Sequence, residues 1–384
     1  MTRVRRTAPA VLATTSWSRA PAMLWIALAA TAACAGGRDR ADRADRVDRV
    51  ESASVGDAHP RRVVSPRWDT LWTRGGGAQD DTLLLMPWAL AADSARVYVL
   101  DAAAYRLVAF RASDGSDAWI SGRKGGGPGE FAGPTAIATL PAGGVAVADP
   151  RNSRITVLDT AGHVIRELRL ASVSDARSMC ALADGSLLLA TAEDDQPLVL
   201  MTAFGRVYRR LALPWADLTD VPPLARQARL AATPDHASCV LALELGRGFA
   251  TFDGTRFTAP HRYVEFFDLP RVEVRRTLRS RTQRVLERRI AAYDVAADGG
   301  EIAAAFEGRT AAGRRLIDLY DLRSGAYLRS YVLEASVSNL ARWGGRYYLV
   351  AEREGYPVLL ALEERASGAR TEPTPRRPSR RAVH

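Results

Sequence analysis

Residues Gly125 to Leu168 read GGGPGEFAGPTAIATLPAGGVAVADPRNSRITVLDTAGHVIREL, and this stretch decides the fold. Four short runs of apolar and β-branched residues alternate with turns built from Gly, Pro, Asn and Asp. A meander of four strands over about 40 residues has the size of one β-propeller blade. The stretch therefore predicts an all-β repeat protein.

The same stretch resembles the NHL repeat of NHL or TolB-like propellers, whose pattern runs G-x-G-P-G-x-F, then P, then V-x-D-x-x-N-x-R-I-x-V. The matching positions are Gly127, Pro128, Gly129, Phe131, Pro134, Val147, Asp149, Asn152, Arg154, Ile155 and Val157. The resemblance implies that Asp149, Asn152 and Arg154 tie neighbouring strands together by polar contacts. A buried Asp beside an Arg is also suited to acid–base chemistry, so that alternative stays open.

The pattern of a second and a third strand recurs along the chain at intervals of roughly 40 to 60 residues. Its copies begin near Val97, Val145, Leu187, Cys239, Ile302 and Tyr347. Six copies predict a six-bladed β-propeller over residues 65–364. The last copy lacks a fourth strand, and we expect the run from Trp68 to Trp72 to supply it and close the ring.

The chain begins with a basic segment and an apolar run that is too short to span a bilayer. Residues 1–33 are therefore predicted to be a secretion signal. Cys34 follows two alanines, and this resembles a bacterial lipoprotein signal in which the cysteine is acylated. An ordinary secretion signal and an uncleaved anchor are the alternatives. Ala35 after the cysteine implies the outer membrane in that family, with the protein in the periplasm or at the cell surface.

Both ends of the chain are predicted to be disordered. Residues 34–64 form a charged tether, in which Arg alternates with acidic residues from Arg38 to Glu51, and residues 365–384 form a basic tail. The formal net charge of +10 comes almost entirely from the signal and this tail. Because the body between them is nearly neutral, we expect no nucleic-acid partner.

Two features of the body allow more than one interpretation. Cys180 and Cys239 fall in neighbouring blades, but on an innermost strand and a second strand respectively, so two unpaired buried thiols are expected, although export permits a disulfide. Residues 270–291 carry eight arginines and two glutamates. They are expected to form an outer strand and an amphipathic helix, or alternatively a basic insertion that contacts anionic lipid or an acidic partner.

No catalytic, cofactor-binding or metal-ligating set is evident in the sequence, and no cofactor is predicted. The leading hypothesis is a binding or scaffolding module, anchored by lipid to the bacterial envelope, for an unknown envelope protein or small ligand. The turns expected to carry the contacts are Ala103 to Arg106, Arg151 to Ser153, Glu193 to Gln196 and Glu354 to Tyr356. The alternative is a metal-dependent, lactonase-like hydrolase or lyase that uses the central channel. A quinone-binding protein is a weaker third hypothesis, and Trp119 in its G-x-x-x-W motif is expected to pack between blades.

Overall fold

The computed structural model describes residues 61–77, 84–170, 173, 175–191, 196–218, 221–266, 272–276, 281–285, 290–308 and 312–365, with only the backbone for 272–276 and 281–285. Cys34, the predicted signal and most of the predicted tether and tail lie outside these residues. The first two strands are β1 (Val63–Val64) and β2 (Trp68–Gly75). The first described residues, including β1, thus lie within the segment expected to be tether.

The remaining strands form six sheets of the propeller, with the two-stranded pair β19–β20 apart from them. Blade 1 contains β3 (Pro87–Ala92), β4 (Arg96–Asp101), β5 (Arg106–Arg111) and β6 (Asp117–Ser121). Blade 2 contains β7 (Ala136–Thr139), β8 (Val145–Asp149), β9 (Arg154–Leu158) and β10 (Val164–Arg169). Blade 3 contains β11 (Ser178–Ala181), β12 (Leu187–Ala190), β13 (Leu198–Met201) and β14 (Val207–Leu211).

Blade 4 contains β15 (Ala228–Ala232), β16 (Cys239–Leu243), β17 (Gly248–Phe252) and β18 (His261–Arg262). The pair β19 (Val272–Arg276) and β20 (Arg281–Val285) follows. Blade 5 contains β21 (Ala292–Asp298), β22 (Glu301–Phe306), β23 (Leu316–Asp321) and β24 (Tyr327–Val332), and blade 6 contains β25 (Val337–Trp343), β26 (Arg346–Arg353) and β27 (Tyr356–Glu364). Short 3₁₀ helices span Pro150–Asn152, Ala216–Leu218, Pro223–Ala225 and Gly313–Arg315. The prediction of a six-bladed β-propeller is confirmed.

The apolar core is divided among the interfaces between neighbouring blades. Each interface holds one cluster of buried side chains, as between blades 2 and 3, where Val157 and Leu168 pack with Leu189 and Met201. Both faces of each blade are therefore buried, which explains why its second and third strands read as continuous apolar runs rather than alternating ones. The burial of this apolar surface holds the ring together.

The two ends of the chain meet in blade 6. Strand β2 pairs antiparallel with β27, from Trp68 opposite Glu364 to Gly75 opposite Val358. The expected closure by the run Trp68 to Trp72 is therefore confirmed, and the third strand of blade 6 is not left as an exposed edge. Strand β1 adds in parallel to β24 as a fifth strand of blade 5.

Alternation of strand direction places several loops on one face of the ring. Within each blade the strands are antiparallel, so the turn between the second and third strands lies at the end where the innermost strand begins. The connections between blades reach the same end. This face, which carries the starts of β3, β7, β11, β15, β21 and β25, is termed the upper face.

The basic insertion differs from expectation because it contains no helix among its described residues. Val272–Arg276 and Arg281–Val285 pair antiparallel, with Val272 opposite Val285. Alternation through Val272 and Val274, together with the β-branched Thr282, favours strands over the imperfect helical spacing. The pair lies in the connection from blade 4 to blade 5, and β20 lies beside the 3₁₀ helix Pro223–Ala225.

The expectation of two unpaired thiols is wrong. Cys180 and Cys239 form a disulfide, with their Cα atoms 6.1 Å apart. Their strand positions were predicted correctly, since Cys180 lies on β11 and Cys239 on β16. At this point an innermost strand meets the second strand of the next blade. The bond links blades 3 and 4 directly.

Candidate functional site

The innermost strands of the six blades surround a narrow central channel. Its main cavity has a volume of about 70 Å³, and its walls are mostly Ala, Leu, Ile, Val and Met side chains. A second cavity of about 30 Å³ lies at the upper face and shares the walls at Leu90, Ile137, Leu230 and Asp294. A water molecule needs about 10–15 Å³ measured in this way, so each cavity has room for only a few water-sized groups.

Polar side chains gather at the upper mouth of this channel. Arg177 and Ser178 come from blade 3, Arg229 from blade 4, Asp294 from blade 5 and Asn339 from blade 6. Each lies directly before its innermost strand or within the first three residues of that strand, and deeper positions on these strands are filled mostly by apolar side chains. This charged opening is termed the polar mouth.

Hydrogen bonds between blades fix the polar mouth around the ring. The Ser178 hydroxyl accepts the Leu230 N–H at 2.8 Å, which joins blade 3 to blade 4. The Asn339 amide donates to the Trp88 carbonyl at 3.0 Å, which joins blade 6 to blade 1. Further bonds run from Thr135 to the Ala176 carbonyl and from the Ala291 N–H to the Glu244 carbonyl. The mouth is therefore held by its neighbours in a defined geometry.

Asp294 is the one carboxylate among the residues that line the channel cavities. Its Oδ2 accepts the Leu340 N–H of blade 6 at 2.8 Å, and its Oδ1 accepts the Val295 N–H at 3.0 Å. Within the part of the chain that the structure describes, it forms no ion pair. Burial raises the pKa of Asp294 to about 6, although the nearby Arg229 guanidinium opposes the shift. The side chain is surrounded by protein, but part of its surface still opens into the channel.

The two arginines of the polar mouth are each shared with a carboxylate. Arg177 Nε donates to Asp175 Oδ2 at 2.7 Å, and Arg229 Nη2 lies 3.4 Å from Glu244 Oε2. Glu244 directly follows the second strand of blade 4. Asp149 ends the second strand of blade 2, so the two carboxylates stand at comparable places in their blades. Because glutamate is longer than aspartate, the Glu244 carboxylate reaches Arg229 at the channel, whereas the Asp149 carboxylate binds the loop before β7.

The lower end of the channel is lined by Arg342, which is buried among its own neighbours. Its Nη2 lies 3.2 Å from Glu301 Oε2, and its Cζ lies 4.4 Å from the centre of the Tyr347 ring. This arginine fills space at the lower end. Among the described residues that line the channel cavities, Asp294 at the upper mouth is therefore the charged residue without an ion pair.

The residues of the NHL-like motif contact the chain's own loops. Fully buried Asp149 accepts the N–H groups of Ala132 and Gly133 at 2.8 and 2.9 Å. The Asn152 amide donates to the Gly125 carbonyl at 3.0 Å. Arg154 donates to the carbonyls of Gly127 and Glu130 and lies 3.2 Å from Glu167. These contacts fasten the connection from blade 1 to blade 2 onto the upper face of blade 2.

The other motif residues shape that same connection. The Gly127 N–H donates to Glu130 Oε2 at 2.8 Å, and Gly129 has a φ of 71°, which favours glycine. The Phe131 ring is fully buried between blades 1 and 2, and Pro134 is buried just before β7. None of the motif residues lines the channel cavities.

Three of the four turns expected to carry contacts lie on the upper face. Each contains a residue with positive φ: Tyr105, Ser153 and Glu354. The fourth turn is outside the described residues except for Gln196. The predicted turns and the polar mouth thus lie on the same face of the ring.

Histidines and acidic side chains do not assemble into a metal-binding group among the described residues, where no three His, Cys, Asp or Glu side chains cluster. His236 is buried, and its Nδ1 lies 2.9 Å from the Ala181 carbonyl oxygen. His261 packs over Gly325 of blade 5. Both rings therefore serve contacts between blades.

Comparison with known proteins supports the fold. No protein-family model matches the chain, and no curated protein sequence matches it. An exported protein of Bacteroides fragilis has a similar structure, with a TM-score of 0.51, 11% identity, and coverage of 78% of this chain and 95% of the other. Virginiamycin B lyase of Staphylococcus aureus gives a TM-score of 0.48 at 12% identity, over 77% of this chain and 99% of the lyase. At 11% identity, the likeness to the exported protein shows a shared fold alone.

Sequence reasoning missed the polar mouth. The innermost strands were recognised as runs of small apolar residues. Arg177, Arg229 and Asp294 were not recognised as members of one site. One signal could have found them, since each charge stands directly before an innermost strand or within its first three residues. Only the ring closure brings the three positions together.

Proposed function

We propose that this protein is an exported, lipid-anchored binding module that recognises a partner with the upper face of its propeller. The observation that carries the proposal is the polar mouth. Charged residues from three blades meet at one end of a channel whose cavities hold only a few water-sized groups. Such a channel suits a small charged group that projects from a larger ligand or envelope protein better than a whole substrate.

The electrostatics of the polar mouth support recognition of a charged group. Asp294 is a buried carboxylate without an ion pair among the described residues, and burying such a charge costs free energy that a bound cation would recover. Arg177 and Arg229 stand beside it with their charges partly matched by Asp175 and Glu244. We expect a partner that places an ammonium or guanidinium group against Asp294.

One observation supports export. The Cys180–Cys239 disulfide is fully buried and joins two blades, and structural disulfides persist in oxidising compartments. Among the described residues no helix is long and apolar enough to cross a membrane. The proposed anchor is a lipid on Cys34, and the proposed location is the periplasm or cell surface, with the outer membrane favoured.

The anchor is tested by mass spectrometry of the protein purified from membranes. Acylated Cys34 at the N-terminus is the expected result, and Cys34→Ser should move the protein from the membrane to the soluble fraction. An intact signal segment, or Cys34 free of lipid, would remove the anchor from the proposal.

The binding face is tested by partner capture from detergent-solubilised membranes, using the lipidated protein. Asp294→Asn should reduce recovery of a specific partner about ten-fold or more, whereas Arg229→Gln removes a competing positive charge beside the carboxylate and should not reduce it. Arg111→Gln, an exposed substitution where the third strand of blade 1 meets its turn, is the matched control and should leave recovery unchanged. Equal recovery with all three variants would place recognition elsewhere.

A further inference from the structure

The outer strand of most blades contains a bulge at an equivalent place. One residue there has no partner on the third strand, because the register shifts around it. These residues are Leu71, Ala118, Ile165, Tyr208 and Leu328. Leu71, Ala118 and Leu328 pack against the clusters between blades. In blades 2 and 3, by contrast, Ile165 is 60% exposed and Tyr208 is 49% exposed.

A second exposed apolar side chain stands between these two bulges. The turns from third to fourth strand in blades 1, 2, 3 and 5 contain a glycine with positive φ, and the residue before it is Asp114, Ala161, Phe204 or Ser324. A small or polar residue satisfies this turn, as Asp114 does by accepting the Ser116 N–H at 2.8 Å. Phe204 at the same position is 83% exposed. The turn itself gives no reason for a phenylalanine.

Arginine surrounds these apolar side chains. The Arg166 guanidinium lies over the Phe204 ring, with Cζ 5.6 Å from the ring centre. Strands β10 and β14 and the turn before β14 carry five arginines and one glutamate. That glutamate, Glu167, already binds Arg154 and the Gly129 N–H. Ile165, Arg166, Phe204 and Tyr208 are termed the rim patch.

We propose that the rim patch rests on an anionic lipid surface. Exposed aromatic and aliphatic side chains with an excess of arginine match the headgroup region, where aromatic rings reach the acyl boundary and guanidinium groups meet phosphates. The inference rests on the proposed lipid anchor in one respect: residues 34–60 would hold the propeller near the membrane. Twenty-seven residues span at most roughly 90 Å when fully extended, so the length of the segment permits the rim to touch the surface.

Contact with the rim patch gives the protein an orientation as well as a location. One lipid-modified residue fixes the distance of the chain from the membrane, whereas a second contact also fixes which edge of the ring faces the bilayer. The edges of blades 2 and 3 would face the lipid. The upper face would then stand at an angle to the membrane and remain open to a partner.

The test uses the mature chain from residue 34 with Cys34→Ser, so that it does not depend on acylation. Co-sedimentation with vesicles of phosphatidylethanolamine and phosphatidylglycerol is compared with co-sedimentation with phosphatidylcholine alone. Phe204→Ser should reduce partition to the anionic vesicles about ten-fold. Serine is the native residue at the equivalent turn of blade 5, so the fold should tolerate it. Tyr356→Ser, at an exposed position on the upper face, should leave partition unchanged.

A second measurement reads the contact directly. Phe204→Cys in this background carries the only thiol outside the disulfide, and an environment-sensitive dye attached there should shift to the blue on addition of anionic vesicles. The dye on Tyr356→Cys should not shift. Unchanged partition of Phe204→Ser, or no shift at position 204, would overturn the proposal. Binding of the rim to an envelope protein with no binding to vesicles would overturn it as well, whereas loss of partner capture at the polar mouth would leave it intact.

Discussion

The Trp119 indole of blade 1 lies flat against Gly162 of blade 2. A Cβ atom on Gly162 would stand 2.5 Å from Cδ2 of the indole, and the Trp119 Nε1–H donates to the Thr160 carbonyl at 3.0 Å. The same relationship recurs around the ring, where an outer-strand side chain covers the turn glycine of the next blade. The other pairs are Trp72 with Gly115, Leu168 with Gly205 and His261 with Gly325. The turn glycines therefore provide one of the contacts between neighbouring blades, in addition to the buried apolar clusters.

Substitution of Gly162 by alanine should destabilise the protein by about 2–4 kcal/mol. The residue has a φ of 85°, which costs an L-amino acid about 1 kcal/mol, and the new methyl group would also displace the indole. Gly299→Ala is the matched control, since its φ is 58° and no atom lies within 4 Å of the added Cβ. Urea unfolding of both variants measures the difference. Equal losses would mean that backbone conformation alone accounts for the glycine.

The fold was predictable because every blade of a propeller repeats the same pattern of apolar strands and turns. One clear copy, from Gly125 to Leu168, set the period and the place of each turn, and fainter copies near Val97 and Tyr347 could be aligned with it. The closing strand was predictable from the same repeat. The last copy lacked a fourth strand, and the run from Trp68 to Trp72 belonged to none of the six copies.

The polar mouth was not predictable by the same means, because it depends on contacts around the ring. Asp294 stands in the run AYDVAAD, and nothing local indicates that Arg229 lies beside it. The disulfide escaped prediction for a related reason, since the offset between β11 and β16 is a property of blade packing. The helix expected in the basic insertion was predicted incorrectly because the short apolar pattern of this segment fits both helical and strand periods.

Removal of the disulfide should lower the free energy of unfolding by about 2–4 kcal/mol. The bond closes a loop with a sequence separation of 59 residues, which restricts the unfolded chain, and both cysteines are buried. Urea unfolding of Cys180→Ala with Cys239→Ala, against the parent chain, measures the loss. Thiol titration in denaturant without reductant is the control. Two reactive thiols besides Cys34 would show that the bond is absent.

Arg61 should hold the start of the propeller body in place. Its Nε and Nη2 donate to Asp318 at 3.1 and 2.9 Å, and its Nη1 lies 2.5 Å from Glu265. The Asp318 side chain is fully buried, so Arg61→Ala should cost about 3–5 kcal/mol by leaving that carboxylate without its guanidinium. Thermal unfolding measures the loss.

An exposed ion pair at the other end of the chain is the control for Arg61. Arg365 pairs with Asp69, and both side chains are largely open to solvent. Because water screens such pairs, Arg365→Ala should leave the unfolding temperature unchanged. A similar loss in both variants would mean that the buried pair has no special role at the boundary of the propeller body.

Asp294 should make the stability of the protein depend on pH in a direction opposite to that of most carboxylates. Its pKa is raised by burial from 3.8 to about 6, so between these values the folded state holds a proton that the unfolded state has released. The free energy of unfolding should therefore fall as the pH rises from 4 to 6, by roughly 3 kcal/mol in total. Asp294→Asn cannot titrate and should lose this dependence.

The measurement is urea unfolding of the parent chain and Asp294→Asn between pH 4 and pH 8. The difference between the two should grow in favour of the variant up to about pH 6 and then stay constant. Asp253→Asn serves as the control, because bonds from Thr255 and Arg256 hold the pKa of Asp253 at about 2, outside this range. A constant difference between parent and Asp294→Asn would place the carboxylate in water. The polar mouth would then lack the unpaired buried charge that the proposed partner recognises.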